Sequence, residues 1–151
     1  MTTFEPKDPN YQTRVKASFD RQTAMHTLGI SISKLQPGEI ELTMPYRKDL
    51  TQQHGFIHGG VVSAGLDTAC GYAAFSLMTA DDSILTVEFK INFLSPASGD
   101  SIAFRGSVVK PGRTLTICDA RAYAVIDAKE KLIATMTGTL MTMEEREGLH
   151  H

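Results

Sequence analysis

Asp67 is the residue whose type and setting point most directly to chemistry. It is the only charged side chain between Gly55 and Ala80, a stretch rich in glycine, alanine, aliphatic and small hydroxyl residues. A buried carboxylate is costly unless it is paired or hydrogen-bonded, and no charged residue lies three or four positions away to pair with it. Asp67 is therefore a candidate general base or nucleophile facing a cleft. An Asp held structurally by a hydroxyl group or a neighbouring strand is the alternative.

The second candidate feature is the sequence His58-Gly59-Gly60, which begins nine residues before Asp67. A glycine pair at the start of a helix leaves backbone N–H groups free to receive a negative charge. Asp67 follows about two and a half helical turns later, so one segment carries both hydrogen-bond donors and a carboxylate. The combination suggests acyl transfer on a thioester or ester, and a plain tight turn into a helix is the alternative.

Three further residues are weighed for chemistry. His54 and His58 are four positions apart, but the loop character of this segment removes the helical geometry on which such a pair relies, so no metal site is predicted. Cys70 has no cationic neighbour in the sequence and is predicted to be an inert apolar residue. Arg113 is a candidate anion contact, because its guanidinium fork can bind a phosphate through two hydrogen bonds.

Composition limits the classes of partner. The chain has 151 residues and a formal net charge of −2, which fits a single domain without a footprint for nucleic acid or an anionic membrane. Its two cysteines, Cys70 and Cys118, lack the spacing of metal ligands or of a disulfide framework. Acidic residues and prolines near the N-terminus argue against a signal peptide. Five glycines and Asp67 make residues 55–80 too polar for a membrane span. A cytoplasmic location is expected.

The first half of the chain predicts two helices and a hairpin. Asp8-Pro9, apolar residues at helical spacing and then Gly29 predict one amphipathic N-terminal helix that covers an edge or face of a sheet. Gly29–Gln36 and Glu39–Pro45 predict a β-hairpin across a Pro-Gly turn. Residues 46–56 are predicted as a loop. Residues 59 to about 78 predict a long central helix, in which Gly65 and Gly71 indicate close packing against another backbone.

The second half predicts consecutive strands. Alternation after residue 83 places Leu85, Val87, Phe89, Ile91 and Phe93 on one face of a strand and Thr86, Glu88, Lys90 and Asn92 on the other. Further strands are predicted at residues 101–110, 113–126 and 132–143, separated by breaks at 111–112 and 127–130. Short connections between consecutive strands favour an antiparallel meander and an α+β class.

The segment Gln52–Val62, with Asp67 nine residues after His58, resembles the hotdog-fold acyl-CoA thioesterases of the PaaI-like, phenylacetate-degradation branch. Thr86–Ala97 is similar to the strand that follows the helix in that family. The resemblance implies a long central helix wrapped by a curved antiparallel sheet, here with an extra N-terminal helix. Residues 1–28 would form the N-terminal helical segment and 29–145 the thioesterase domain, leaving 146–151 as a native or tag-derived tail.

The resemblance also implies roles for individual residues. Asp67 would be the general base or nucleophile, the Gly59 amide would polarise the thioester carbonyl, and Thr86 would assist the water or the carboxylate. Gln52 stands where this branch often has Asn, although the adjacent Gln53 and His54 leave that assignment open. The residues expected to contact the substrate are His54, His58, Gly60 and Arg113, the last at the phosphates of CoA.

The family implies a homodimer whose two sheets join, and dimers that associate into tetramers. Asp67 and Thr86 would then face Gly59 of the partner subunit across the interface. The expected activity is hydrolysis of acyl-CoA to free acid and CoA without a metal or redox cofactor. A non-catalytic acyl-CoA-binding protein and a hotdog enoyl-CoA hydratase using His58 and Asp67 are the alternatives. The acyl group stays open, since Phe56, Tyr72, Phe75 and Met78 are expected either in its pocket or in the core.

Overall fold

A 17-residue helix runs through the centre of the molecule, and a six-stranded sheet curves around it. The computed structural model describes residues 3–144, so the expected tail at 146–151 lies outside the described residues. A short 3-10 helix, Lys48–Leu50, interrupts the predicted loop before the central helix. The elements in chain order are α1 Tyr11–Asp20, α2 Thr23–Leu28, β1 Ser31–Gln36, β2 Glu39–Pro45, α3 Gly59–Phe75, β3 Ser83–Phe93, β4 Ser101–Lys110, β5 Leu115–Ile126 and β6 Lys129–Met143.

The sheet is antiparallel throughout and has the strand order β1-β2-β4-β5-β6-β3. This confirms the α+β class, the β1–β2 hairpin and the β4–β5–β6 meander. The strand β3 is not part of that meander, because it pairs with β6 at the far edge. After β3 the chain crosses over through residues 94–100, where the backbone N–H groups of Leu94 and Ser95 donate to the carbonyl of Ile133.

Three predicted strand starts are corrected. The strand β1 begins at Ser31 rather than Gly29, because Gly29 ends α2. β5 begins at Leu115 rather than Arg113. β6 begins at Lys129 because the β5–β6 turn needs only Asp127 and Ala128, whose φ angles are 50° and 61°. Positive φ at two consecutive residues is the geometry of a tight two-residue hairpin turn, so the strands extend closer together than a four-residue break would allow.

The sheet approaches α3 closely where small residues face each other. A Cβ atom on Gly106 of β4 would lie 2.4 Å from the carbonyl oxygen of Ala69, so only glycine permits this contact. A Cβ atom on Gly65 would lie 2.5 Å from the Phe104 ring, which confirms close packing there, although against a side chain. The same expectation is wrong for Gly71, where an added Cβ would meet no atom within 4 Å. Gly71 instead borders an open cavity.

The N-terminal segment forms two helices rather than the single helix expected. The carbonyl of Asp20 accepts a hydrogen bond from Nε2 of His26 at 2.7 Å, and Gln22 has an extended backbone with φ −81° and ψ 90°. The residue in the N-cap position of α1 is Asn10 rather than Asp8. The Asp8 carboxylate accepts a hydrogen bond from the backbone N–H of Asn10 and forms an ion pair with Arg14. Gly29 ends α2 with a left-handed φ of 71°, as predicted.

The side-chain hydrogen bonds of α1 lead to α3 and the turn after it rather than to a sheet edge. Nη2 of Arg14 donates to the carbonyls of Phe75 and Met78 at 3.1 and 2.9 Å. The hydroxyl groups of Ser18 and Tyr72 lie 3.1 Å apart in a hydrogen bond, and the Phe19 and Tyr72 ring centroids are 5.6 Å apart. The N-terminal segment therefore covers the C-terminal half of α3.

Candidate active site

The start of α3 carries one free backbone donor. Nδ1 of His58 accepts a hydrogen bond from the backbone N–H of Gly60 at 2.8 Å, so His58 caps the helix with its own side chain. The backbone N–H groups of Val61 and Val62 donate to the His58 carbonyl. The N–H of Gly59 has no acceptor within residues 3–144, which leaves it as the donor that a ligand could use.

Gly59 and Gln52 border the same cavity of about 400 Å³, here called the helix-start cavity. The Oε1 atom of Gln52 accepts from the backbone N–H of His54, which fixes the side chain and leaves its NH₂ group as a donor. Gln53 and His54 are exposed and do not border the cavity. Of the three loop residues considered, the structure brings only Gln52 to Gly59. The remaining lining residues are Phe56, Ile57, Val62, Phe93, Leu94, Ser95, Pro96, Ala97 and Ile133.

Asp67 lies two turns further along α3 and is hydrogen-bonded to β3. Its Oδ1 atom accepts from the hydroxyl group of Thr86 at 2.8 Å. Partial burial raises the pKa of the Asp67 carboxyl above its ordinary value, and the Thr86 hydrogen bond opposes that rise. The second carboxylate oxygen is left to act on another group.

A β-bulge places Thr86 on the helix side of the sheet. Thr86 pairs with Leu140 and Glu88 with Thr139, so Val87 is an extra residue in β3. The extra residue reverses the alternation, so Thr86 points to the same side as Phe93, whose ring lies over Gly59. The sequence expectation that Thr86 and Phe93 lie on opposite faces is therefore wrong, because strict alternation does not survive the bulge.

Asp67 and Thr86 border a second cavity of about 110 Å³, here called the mid-helix cavity. Gln22, from the junction of α1 and α2, also borders it. Sequence reasoning missed Gln22, and nothing in the type or spacing of this residue distinguishes it from a surface glutamine. The other lining residues are Thr68, Gly71, Tyr72, Ile84 and Leu140.

Three other candidates lie elsewhere or are chemically inert. Arg113 is exposed in the β4–β5 connection and borders neither cavity. The Cys70 thiol is buried, and burial raises its pKa well above the ordinary value, which supports the expectation of an inert residue. His54 belongs to no potential metal-binding group, since three or more His, Cys, Asp or Glu side chains gather nowhere in residues 3–144.

The known proteins that this chain resembles include thioesterases and esterases. The profile of the Thioesterase superfamily matches residues 54–130. A crystal structure of a thioesterase family protein from Silicibacter pomeroyi is 60% identical with a TM-score of 0.87, over 89% of this chain and 98% of that chain. A protein of Saccharolobus solfataricus named "Putative esterase" is 31% identical over 133 residues, which are 88% of this chain and 86% of that protein.

The PaaI protein from the phenylacetic acid degradation operon of Escherichia coli shares the fold. Its TM-score is 0.80 at 23% identity, over 90% of this chain and 95% of that chain. The fold is a curved antiparallel sheet around one central helix. Together with the similarity to these proteins, it defines the class as hotdog-fold thioester hydrolases. The chain belongs to the Thioesterase superfamily. In the part of the chain that the structure describes, no helix is long and apolar enough to cross a membrane.

Proposed function

We propose that this protein hydrolyses an acyl-CoA thioester to a free acid and CoA, with Asp67 as the catalytic carboxylate. The observation that carries the proposal is the position of Asp67 on an otherwise neutral helix, partly buried at a cavity and oriented by the Thr86 hydroxyl. A carboxyl with a raised pKa accepts a proton more readily than an exposed one, which suits a general base near neutral pH.

In the general-base form of the reaction, Asp67 accepts a proton from a water molecule that attacks the thioester carbonyl carbon. The carbonyl oxygen becomes negative and is stabilised by the free N–H of Gly59 at the positive end of α3. The C–S bond then breaks, and the departing thiolate takes the proton from Asp67. In the nucleophilic form, the carboxylate itself attacks, and water hydrolyses the resulting anhydride.

The two groups that act on the carbonyl come from different subunits in this proposal. Gly59 and Asp67 are eight residues apart on one helix, which separates them by about 12 Å along its axis. Within one protomer they border different cavities. One chain therefore cannot direct both groups at a single carbonyl carbon, whereas two copies in antiparallel contact can.

The exposed edge of the sheet supports a second copy as the partner. β3 is an edge strand whose side chains are unusually apolar for an accessible position, with Val87 and Phe93 exposed to 53% and 56%. A long apolar edge is a template for strand pairing, and burial in a dimer would remove it from water. We propose a homodimer joined along β3, and a dimer of dimers as the larger assembly.

The remaining contacts complete the proposal. Gln52 is assigned to donate to the carbonyl or to the bound water, and Arg113 is assigned to the phosphates of CoA. His54, His58 and Gly60 are assigned to contacts with the substrate, although the Gly60 N–H is already bonded to His58. The proposed reaction uses no cofactor. A cytoplasmic location suits the two free, buried cysteines.

The Asp67→Asn variant tests the role of the carboxylate, with Asp119→Asn on the exposed face of β5 as the matched control. Loss of a general base should lower kcat for thiol release by about 10²–10⁴-fold without changing the oligomeric state. The Asp119→Asn enzyme should stay within about twofold of the wild type, because an exposed carboxylate away from the site has no part in the reaction. Equal turnover by Asp67→Asn and wild type would contradict the mechanism. Hydration of an enoyl-CoA by the wild-type protein, assayed in parallel, would favour the hydratase alternative.

A further inference from the structure

Gln22, which borders the mid-helix cavity, carries a buried hydrogen-bond acceptor that has no protein partner. The Oε1 atom of Gln22 is inaccessible to solvent and has no hydrogen-bond partner in the described protein. Gln22 borders the same cavity as Asp67. A buried amide oxygen without a partner is costly, so its persistence calls for a group that occupies the cavity.

Docking of α1 on α3 brings Gln22 to this position. The two helices run in opposite directions along their contact, because Arg14 bonds to the carbonyls of Phe75 and Met78 while Ser18 bonds to Tyr72. One turn beyond Ser18, the chain reaches Gln22 opposite the next turns of α3 toward Asp67. The contacts that hold α1 therefore also fix the distance between Gln22 and the catalytic carboxylate.

The Gln22 side chain has no evident role in local structure. It precedes α2 in the N-cap position, yet its side chain makes no capping hydrogen bond. Its backbone N–H donates to the Phe19 carbonyl, and its own carbonyl accepts from Met25, so the turn is held by main-chain contacts. The amide group is consequently free to bind a molecule in the cavity.

The size and chemistry of the cavity suit water. A volume of about 110 Å³ can hold a few water molecules at about 30 Å³ each. Two of the polar residues that border it, Asp67 and Gln22, each carry a hydrogen-bond acceptor. A water molecule between two acceptors donates one hydrogen bond to each, and its oxygen keeps a lone pair free.

We infer that Gln22 binds the attacking water together with Asp67, so that the N-terminal helical segment supplies part of the catalytic site. This inference rests on the proposed function. One O–H group of the water donates a hydrogen bond to Gln22, which orients the water. The other O–H group donates a hydrogen bond to Asp67, along which the proton is transferred when the oxygen attacks. When the C–O bond forms, Asp67 takes its proton and Gln22 keeps its hydrogen bond, so the amide changes neither charge nor protonation.

The Gln22→Met variant removes the amide and keeps the length of the side chain. We expect kcat to fall about ten- to hundredfold, the cost of one hydrogen bond to the reacting water, while KM stays within about twofold. Thermal stability should be nearly unchanged, because the variant removes a hydrogen bond to one water molecule and no hydrogen bond within the described protein. Gln12→Met, an exposed glutamine in α1, is the matched control and should leave kcat unchanged.

A crystal structure of the wild-type oligomer gives a second measurement that is independent of turnover. Ordered water within hydrogen-bonding distance of both Gln22 and Asp67 is expected. The inference is overturned if the cavity is empty, if the Gln22 oxygen has a protein partner, or if kcat of Gln22→Met is within twofold of wild type. Each of these results counts even if Asp67→Asn is inactive. A wild-type protein that releases no thiol from any acyl-CoA overturns the proposed function instead, and the water density alone then decides whether Gln22 binds water beside Asp67.

Discussion

The two cavities along α3 differ in chemical character. The helix-start cavity presents hydrogen-bond donors, the N–H of Gly59 and the amide of Gln52, at the positive end of the helix dipole. The mid-helix cavity is bordered by the acceptor Asp67, by Gln22 with its unpaired amide oxygen, and by hydroxyl groups. Thioester hydrolysis needs a donor for the developing oxyanion and an acceptor for the proton of water. In the proposed reaction each cavity supplies one half of that requirement, so a single chain would hold an incomplete site.

After loss of the Asp67 carboxylate, removing the donor at the helix start should have the largest effect. Gly59→Pro deletes the N–H but suits the first position of a helix, and the extended backbone of His58 is compatible with a following proline. We expect kcat for thiol release to fall about 10²–10³-fold, the cost of one oxyanion donor.

Gly59→Ala is the control for that variant, because it adds the same Cβ, 3.0 Å from Cζ of Phe93, and keeps the N–H. Its kcat should remain much closer to wild type, since the contact is with the far end of the Phe93 side chain rather than with backbone. If the alanine and proline variants lose activity equally, the steric contact rather than the donor is responsible, and the helix-start cavity loses its assigned role.

A smaller effect is expected at the mid-helix cavity from Thr86→Val, which preserves shape and removes the hydroxyl. The Thr86 hydrogen bond stabilises the ionised Asp67 carboxylate, so its loss should raise the Asp67 pKa further. Because the ionised form is the base, activity is lost as pH falls through this pKa. The acidic limb of the kcat/KM profile should therefore move to higher pH, with kcat at neutral pH reduced about three- to tenfold.

Thr86→Ser keeps the hydroxyl and should keep the wild-type profile. The neighbouring titratable groups Cys70 and Tyr72 lie on the same helix, and burial raises the pKa of both, so neither titrates in the acidic range. A shift of the acidic limb to lower pH in Thr86→Val would show that the hydroxyl does not stabilise the carboxylate.

The sequence identifies the helix-start cavity better than the mid-helix cavity. His58, Gly59 and Gln52 are close in sequence, so a local motif predicts their proximity, and Asp67 stands out because its neighbours are uncharged. The hairpin β1–β2 and the meander β4–β6 are also local pairings between consecutive strands.

The features that the sequence does not reveal depend on distant contacts. The position of β3 beside β6 joins segments about fifty residues apart, and the bulge at Val87 becomes visible only in the register of that pairing. Gln22 reaches the site because α1 ends early and docks on α3 through Arg14 and Ser18. No periodicity in the chain encodes these tertiary contacts, and a regular alternation in β3 predicts the wrong face for Thr86.

Complementation between two inactive subunits tests most directly whether the two halves of the site come from different copies. Asp67→Asn and Gly59→Pro chains carrying different affinity tags can be co-expressed and purified as mixed oligomers. In a mixed dimer, one site combines an intact Asp67 with an intact Gly59 and the other carries both changes. We predict recovery of about half the wild-type kcat per mixed dimer. Activity as low as that of either parent variant would contradict the account and place both groups in one chain.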